Sequence, residues 1–212
     1  MTIIASESAA REWLAALPGV SRETIDQLER FAALLTEEND RQNLVAASTL
    51  GESFWSRHIV DSAQLLALAP SKGGTWIDLG SGPGLPGLVI AILAPQRRIT
   101  LVESRRLRCD FLNSAIVTLG LADQAKVIHD RVEALPPFPS DVISARAFAP
   151  LPRLITTARH LANKSTIWLL PKGKNAVNEL STLSAPWQTM FHVKPSLTDS
   201  DARILVGQGN FP

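Results

Sequence analysis

Several things are scarce in this chain. One of its 212 residues is cysteine, Cys109, so no internal disulfide can form, and a reducing cytoplasm suits it. No apolar run reaches the roughly 20 residues that a membrane-spanning helix needs. The start, Met1 to Trp13, has neither a basic opening nor a continuous apolar stretch, which argues against a secretory leader. Excess charge is missing too: 21 Lys and Arg face 20 Asp and Glu, a formal net charge of +1. Any nucleic-acid surface must therefore come from local clustering. His58, His129, His160 and His192 lack metal-ligand spacing and no cysteine pair supports zinc, so no metal is expected. There is no internal repeat and no low-complexity tract. With 45% hydrophobic and 19% charged residues, what remains is an ordinary globular chain with enough length for a substantial core.

The most informative stretch runs from Trp76 to Gly87. The apolar run Trp76-Ile77 ends at Asp78, then Leu79, and breaks into Gly80, Gly82, Gly84 and Gly87 before the apolar 88–94. Glycine allows a sharp turn and leaves room for a ligand against the main chain. About twenty residues on, the run Ile99-Thr100-Leu101-Val102 ends in Glu103. Strand, glycine loop, helix, strand and acid is the layout of a nucleotide-binding βαβ unit, with Glu103 placed for ribose hydroxyls. Gly82-x-Gly84-x-x-Gly87 matches the dinucleotide fingerprint literally but out of phase, because Gly80 closes the strand. Asp78 would repel a pyrophosphate, and Pro83 and Pro86 remove two amide donors that a phosphate would use. S-adenosylmethionine carries no phosphate and offers an ammonium to the Asp78 region, so the methyl donor is favoured over a dinucleotide.

Residues before about 70 read as helical and those after as alternating. Helices are expected over 5–17, from Ser21 through Ile25, Leu28, Phe31, Leu34 and Leu35, and over 52–69. Strands are expected at 75–79, 99–103, 126–129, 141–145, 166–170, 189–193 and 203–206, with helices at 86–94, 105–119, 151–162 and 174–183. Helices threaded between strands imply a mainly parallel sheet covered on both faces. The last two strands, with polar 198–201 between them, suggest an antiparallel hairpin at the edge. Residues 1–70 are expected to be an N-terminal helical extension packed on a core of 71–212 as one compact body.

With these motifs in place, the chain resembles the RsmG family, also called GidB. The resemblance rests on Asn39 and Asn43-Leu44, Arg57-His58 with Asp61-Ser62, the Asp78 to Gly87 loop, Val102-Glu103-Ser104, Phe111-Leu112, Arg131-Val132-Glu133, Arg146-Ala147 and Lys172-Gly173. It implies methyl transfer from S-adenosyl-L-methionine to ring nitrogen 7 of guanine 527 of 16S ribosomal RNA. It also implies a Rossmann-like class I methyltransferase fold with a seven-stranded sheet behind N-terminal helices. Donor contacts would fall at Gly80 and Leu85, with Val132 and Glu133 at the adenosine end and Arg146 in the donor site. Gly82 and Gly84 belong to the same loop.

Arg146 ends the fourth strand, where it reaches the donor's carboxylate or an RNA phosphate, or else forms a structural salt bridge. Arg57, His58, Asp61 and Ser62 fall three and four apart and so share one helix face. Guanine nitrogen 7 has a lone pair and loses no proton on methylation, so no general base is required. These residues are read as positioning the substrate or docking the helix. Lys172 and Lys174 follow the fifth strand and are candidates for RNA phosphates. Arg97, Arg98, Arg105, Arg106 and Arg108 form either a solvated face or a second basic patch. The reading is thus a cytoplasmic, metal-independent methyltransferase acting on 16S rRNA or the small ribosomal subunit, as a monomer and away from membranes. The rivals are a small-molecule methyltransferase, a nicotinamide-dependent oxidoreductase and a non-catalytic nucleotide-sensing module.

Overall fold

Two amphipathic helices open the fold, each begun by a serine. In this computed structural model, which describes residues 3–210, Ser6 caps α1 (Glu7–Ala15) by accepting from the Ala9 amide. Ser21 and Thr24 cap α2 (Arg22–Gln42) reciprocally, satisfying amides that have no partner inside the helix. Asn43 ends α2 in the left-handed conformation, φ 49°, where Asn is tolerated better than most residues. Asn39, one turn earlier, is buried and accepts from the Val45 amide at 2.7 Å. Both asparagines therefore shape the exit from α2.

The segment expected as one regular helix over 52–69 winds unevenly. It runs as a π-helix at Trp55–Val60, one α turn, α3 (Asp61–Ala63), and a 3₁₀ turn at Gln64–Leu68. Wide π turns shift which side chains share a face. Arg57 is exposed and Asp61 half-buried, while His58 and Ser62 are buried. The four expected to share one face thus differ in burial, yet His58 and Asp61 both reach the Arg146 guanidinium.

The sheet has seven strands in the order β3-β2-β1-β4-β5-β7-β6. They are β1 (Gly74–Leu79), β2 (Arg97–Glu103), β3 (Ala125–His129), β4 (Val142–Ser144), β5 (Ile167–Lys172), β6 (Phe191–Pro195) and β7 (Arg203–Gln208). The first five are parallel, and β7 enters antiparallel between β5 and β6. The helices α4 (Gly87–Leu93), α5 (Arg106–Thr118), α6 (Leu151–Ala158) and α7 (Ala176–Ser181) join them. The last strand pair forms the expected hairpin, but β6 begins two residues late because 185–188 takes a helical turn, α8 (Ala185–Gln188), with Pro186 in its first turn.

One core cluster joins Leu14, Leu28, Phe31 and Leu35 of the N-terminal helices to Leu88 of α4 and Leu112 of α5. The other joins Ile77, Ile143 and Trp168 of the sheet to Leu154 and Ile155 of α6. Full burial of each large side chain contributes roughly 1.5–3 kcal/mol. Strand order reverses between β1 and β4, and ligands of open α/β sheets gather beyond the carboxyl ends of the strands at such a point. Among the described residues, no helix is long and apolar enough to cross a membrane.

Candidate active site

The glycine loop after β1 is held by its own neighbours. Gly80, Gly82 and Gly84 all take positive φ, at 65°, 53° and 87°. Gly87 permits a close approach, since a Cβ there would overlap Leu101 Cδ2 and meet Asp78 Oδ2 at 2.9 Å. Asp78 stands opposite Ser144 across the β1–β4 register. Its carboxylate accepts from Ser144 Oγ at 2.6 Å and from the Gly87 amide at 3.2 Å. Burial pushes its pKa up to about 6, against the pull of the hydrogen bonds from Ser144, Ser81 and Gly87. Asp78 was expected near the donor's ammonium. The structure places it beneath the loop, fully buried, where it pins the start of α4 to β4.

Every main-chain N–H from 81 to 87 has an internal partner. Ser81 donates to Val102 O, Gly84 and Leu85 to Ser81 O, Gly82 to Glu103 Oε2 and Gly87 to Asp78, while Pro83 and Pro86 have none to give. A pyrophosphate needs a cradle of free amides, and this loop keeps none between those residues.

Beyond the carboxyl ends of β1, β2 and β3 lies a cavity of about 600 Å³, lined by Gly80, Glu103, Val132 and Glu133 together with Arg105, Arg108, Arg131, Arg153 and Phe148. Four of the expected donor residues thus meet in one place. Glu103 accepts from the Gly82, Ser104 and Arg105 amides and faces Arg108 at 3.7 Å. A carboxylate has about four acceptor sites, so it is oriented by the main chain while its edge lines the cavity. Gly82, Gly84 and Leu85 lie buried behind the wall. Of the arginine cluster, Arg105 and Arg108 line this cavity, whereas Arg97 is buried against Trp76 and donates to Pro70 O. Cys109 is buried and its thiol donates to Glu103 O.

A second cavity of about 590 Å³ adjoins the first, beyond β4, β5 and β7. Arg57, Asp61, Arg146, Lys172 and Arg203 line it, and it shares Ala147, Phe148 and Ala149 with the first. Arg146, expected in the donor site, lines the second cavity and pairs with Asp61 at 3.2 Å. Asp61 also accepts from Thr198 Oγ1, and Arg57 pairs with Asp199 at 2.6 Å. The helical segment is thereby docked on the β6–β7 connection. His58 Nδ1 faces Arg146 Nη2 at 3.4 Å, and Nε2 lies 2.8 Å from Thr49 Oγ1. An arginine only donates, so Nδ1 must keep its lone pair. Burial first, and the Arg146 and Arg57 charges next, push the His58 pKa down to about 3.

Lys172 is less available to phosphates than its position suggested. It donates to Ala149 O at 2.9 Å and to Glu179 at 2.8 Å. Lys174 is exposed and lines neither cavity. Sequence reading missed Phe148, Glu179 and Arg203, and treated 198–201 only as a hairpin loop. The one signal available for Phe148 was an aromatic just after Arg146-Ala147 at a strand end. Among the described residues, no group of three or more His, Cys, Asp or Glu could hold a metal ion.

This topology and loop define a class I S-adenosylmethionine-dependent methyltransferase. The fold is similar to a mutant of MtNAS in complex with S-adenosylmethionine, with TM-score 0.59 and 17% identity, covering 96% of this chain and 77% of that one. It is also similar to precorrin-6y C5,15-methyltransferase from Geobacter metallireducens, with TM-score 0.53 and 13% identity, covering 78% and 93%. The family model GidB, rRNA small subunit methyltransferase G, matches residues 24–203. The "Ribosomal RNA small subunit methyltransferase G" of Sphingopyxis alaskensis is 54% identical over 98% of this chain and 88% of its own length. That of Erythrobacter litoralis is 44% identical over 98% of both. The chain belongs to the GidB family.

Proposed function

We propose that this protein transfers the methyl group of S-adenosyl-L-methionine to ring nitrogen 7 of guanine 527 in 16S ribosomal RNA, free or within the small ribosomal subunit, as a cytoplasmic monomer. The observation that carries the donor assignment is the glycine loop, whose amides from 81 to 87 are spent internally. Such a loop suits a phosphate-free adenosine compound and disfavours a nicotinamide dinucleotide. The 600 Å³ cavity falls within the usual range for small-molecule sites.

Gly80 would face the methionine portion from the cavity wall, with the Phe148 ring packed against it. Glu103 would take the ribose hydroxyls, and Val132 with Glu133 the adenine end. Leu85, Gly82 and Gly84 support the loop from behind, and Asp78 fixes its two ends. When bound, S-adenosylmethionine supplies an electrophilic methyl group. The protein's task is to align the acceptor nitrogen with it and exclude water. His58, held neutral and facing a guanidinium, is in no position to take a proton, which agrees with a nucleophile that has none to lose.

Calorimetric titration should show binding of S-adenosylmethionine and none of NAD or NADP. Labelled donor should then mark 16S rRNA taken from cells lacking the enzyme. Donor binding without transfer to any ribosomal RNA would favour a sensing module, and transfer to compact substrates alone a small-molecule methyltransferase.

A further inference from the structure

The loop 145–150 between β4 and α6 has no regular structure, yet it is tightly set. Ala147 takes a positive φ of 52°, a conformation that few non-glycine residues adopt. Lys172 holds the Ala149 carbonyl, and the side chain of Arg146 is anchored on Asp61 and Arg57 O. The outcome is that the Phe148 ring is pressed on Gly80. A Cβ on that glycine would lie 2.5 Å from the ring. The same ring lines the second cavity. Phe148, with Ala147 and Ala149, is thus common to the walls of both cavities.

The chemistry of the second cavity fits a guanine nucleotide. Guanine offers acceptors at O6 and nitrogen 7 and donors at its amino group. The wall pairs donors with acceptors, Arg146 with Asp61, Lys172 with Glu179 and Arg57 with Asp199, and a guanine edge would engage it by exchanging hydrogen bonds with these pairs. Enzymes that modify a base within RNA or DNA take it out of its stack and read it by edge hydrogen bonds and by stacking on aromatic or apolar side chains. We propose that the second cavity is the guanine-nucleotide subsite and that Phe148 is a positioning residue whose ring the target base stacks against, beside the donor. The proposal rests on the methyltransferase reading above and extends it to the acceptor.

The test compares wild type with Phe148→Leu, which keeps an apolar side chain but removes the aromatic face, and with Phe148→Tyr, which keeps the ring. Donor affinity is measured by calorimetry, and single-turnover methyl transfer at saturating donor and 16S rRNA. A lost base–aromatic stack is worth about fivefold to 150-fold, centred well above tenfold. Phe148→Leu should therefore transfer at least about tenfold more slowly, with donor affinity within about threefold of wild type, and Phe148→Tyr should recover most of the rate. Equal rates in wild type and Phe148→Leu would overturn the proposal alone. So would a parallel fall of donor affinity and rate in Phe148→Leu, since the ring would then serve only the donor cavity. A wild-type protein that binds donor but methylates no ribosomal RNA would refute the underlying functional reading, and the proposal with it.

Discussion

The two cavities lie side by side on the carboxyl edge of the sheet but are assembled differently. The first is made from short runs at the ends of β1, β2 and β3: the loop at Gly80, Glu103 to Arg105, and Asp130 to Glu133. Its geometry is mostly main chain, with glycines in positive φ and amides closing on Glu103 and Asp78. The second gathers single side chains from four distant places: Arg57 and Asp61, Arg146, Lys172, and the residues from Ser196 to Arg203. Here ion pairs hold the wall, and the groups holding it are of the kind a nucleotide would engage. In the first pocket a substituted glycine disturbs the main chain that forms the site, whereas in the second a substitution removes one paired side chain at a time.

The largest effect should come from Gly80→Asp. Its side chain would collide with the Phe148 ring, in a backbone conformation that L-residues avoid. Donor binding by calorimetry should fall by about a hundredfold or more, with the circular-dichroism spectrum unchanged; undiminished affinity would remove Gly80 from the donor site. Gly84→Val is a poorer probe than its sequence position suggests, because the new side chain would strike Leu88 and Leu112 rather than a ligand.

Gly87→Ala should act on stability instead. The added methyl group has no room between Leu101 and Asp78, and overpacking of this kind costs about 1–3 kcal/mol. Urea denaturation measures it, and a change under 0.5 kcal/mol would mean that α4 can slide away from β1.

His58, buried behind Arg146 of the second cavity, carries a pH signature. Its folded pKa, about 3, is below the ordinary histidine value. The stability that it contributes is therefore present above about pH 6.5 and is lost as the pH falls towards 3. Between pH 7 and pH 5 the stability advantage of wild type over His58→Gln should shrink by about 2 kcal/mol. An advantage independent of pH would show that His58 titrates normally. Asp78 runs the other way, since its raised pKa makes folding take up a proton between about pH 4 and pH 6, so Asp78 itself adds stability on acidification.

The smallest effect is expected for the exposed pair Arg57–Asp199. Arg57→Ala should cost about 0.5 kcal/mol or less, and Asp61→Asn, which leaves the less exposed Arg146 without its carboxylate, about 1–2 kcal/mol. If Arg57→Ala cost more than Asp61→Asn, the docking of the helical segment would rest on the outer pair.

How much of this was legible follows from the same contrast. The βαβ unit and the sheet with its closing hairpin could be read from the sequence because each is encoded within a few residues, while the grouping of Gly80, Val132 and Glu133 with Glu103 came from the family resemblance. The partners of Asp78 and Arg146 could not be read, because each lies far along the chain: Ser144 across the β1–β4 register, and Asp61 just after the π turn. Lys172 lines the second cavity, at the end of the fifth strand as expected, but its pairing with Ala149 O and Glu179 could not be read locally. Phe148 was hidden because an aromatic in a loop carries no periodicity, and only the fold brings it over Gly80.

The central claim is a methyl group placed on one ring nitrogen of one nucleotide. It is tested most directly by incubating the protein with labelled S-adenosylmethionine and 16S rRNA from cells lacking the enzyme, then cleaving the RNA chemically at 7-methylguanosine and mapping the break. Label should appear in stoichiometric amount, with a single new cleavage at guanine 527. Label at a different nucleotide or a different atom, or no transfer to ribosomal RNA from a donor that is bound, would contradict it.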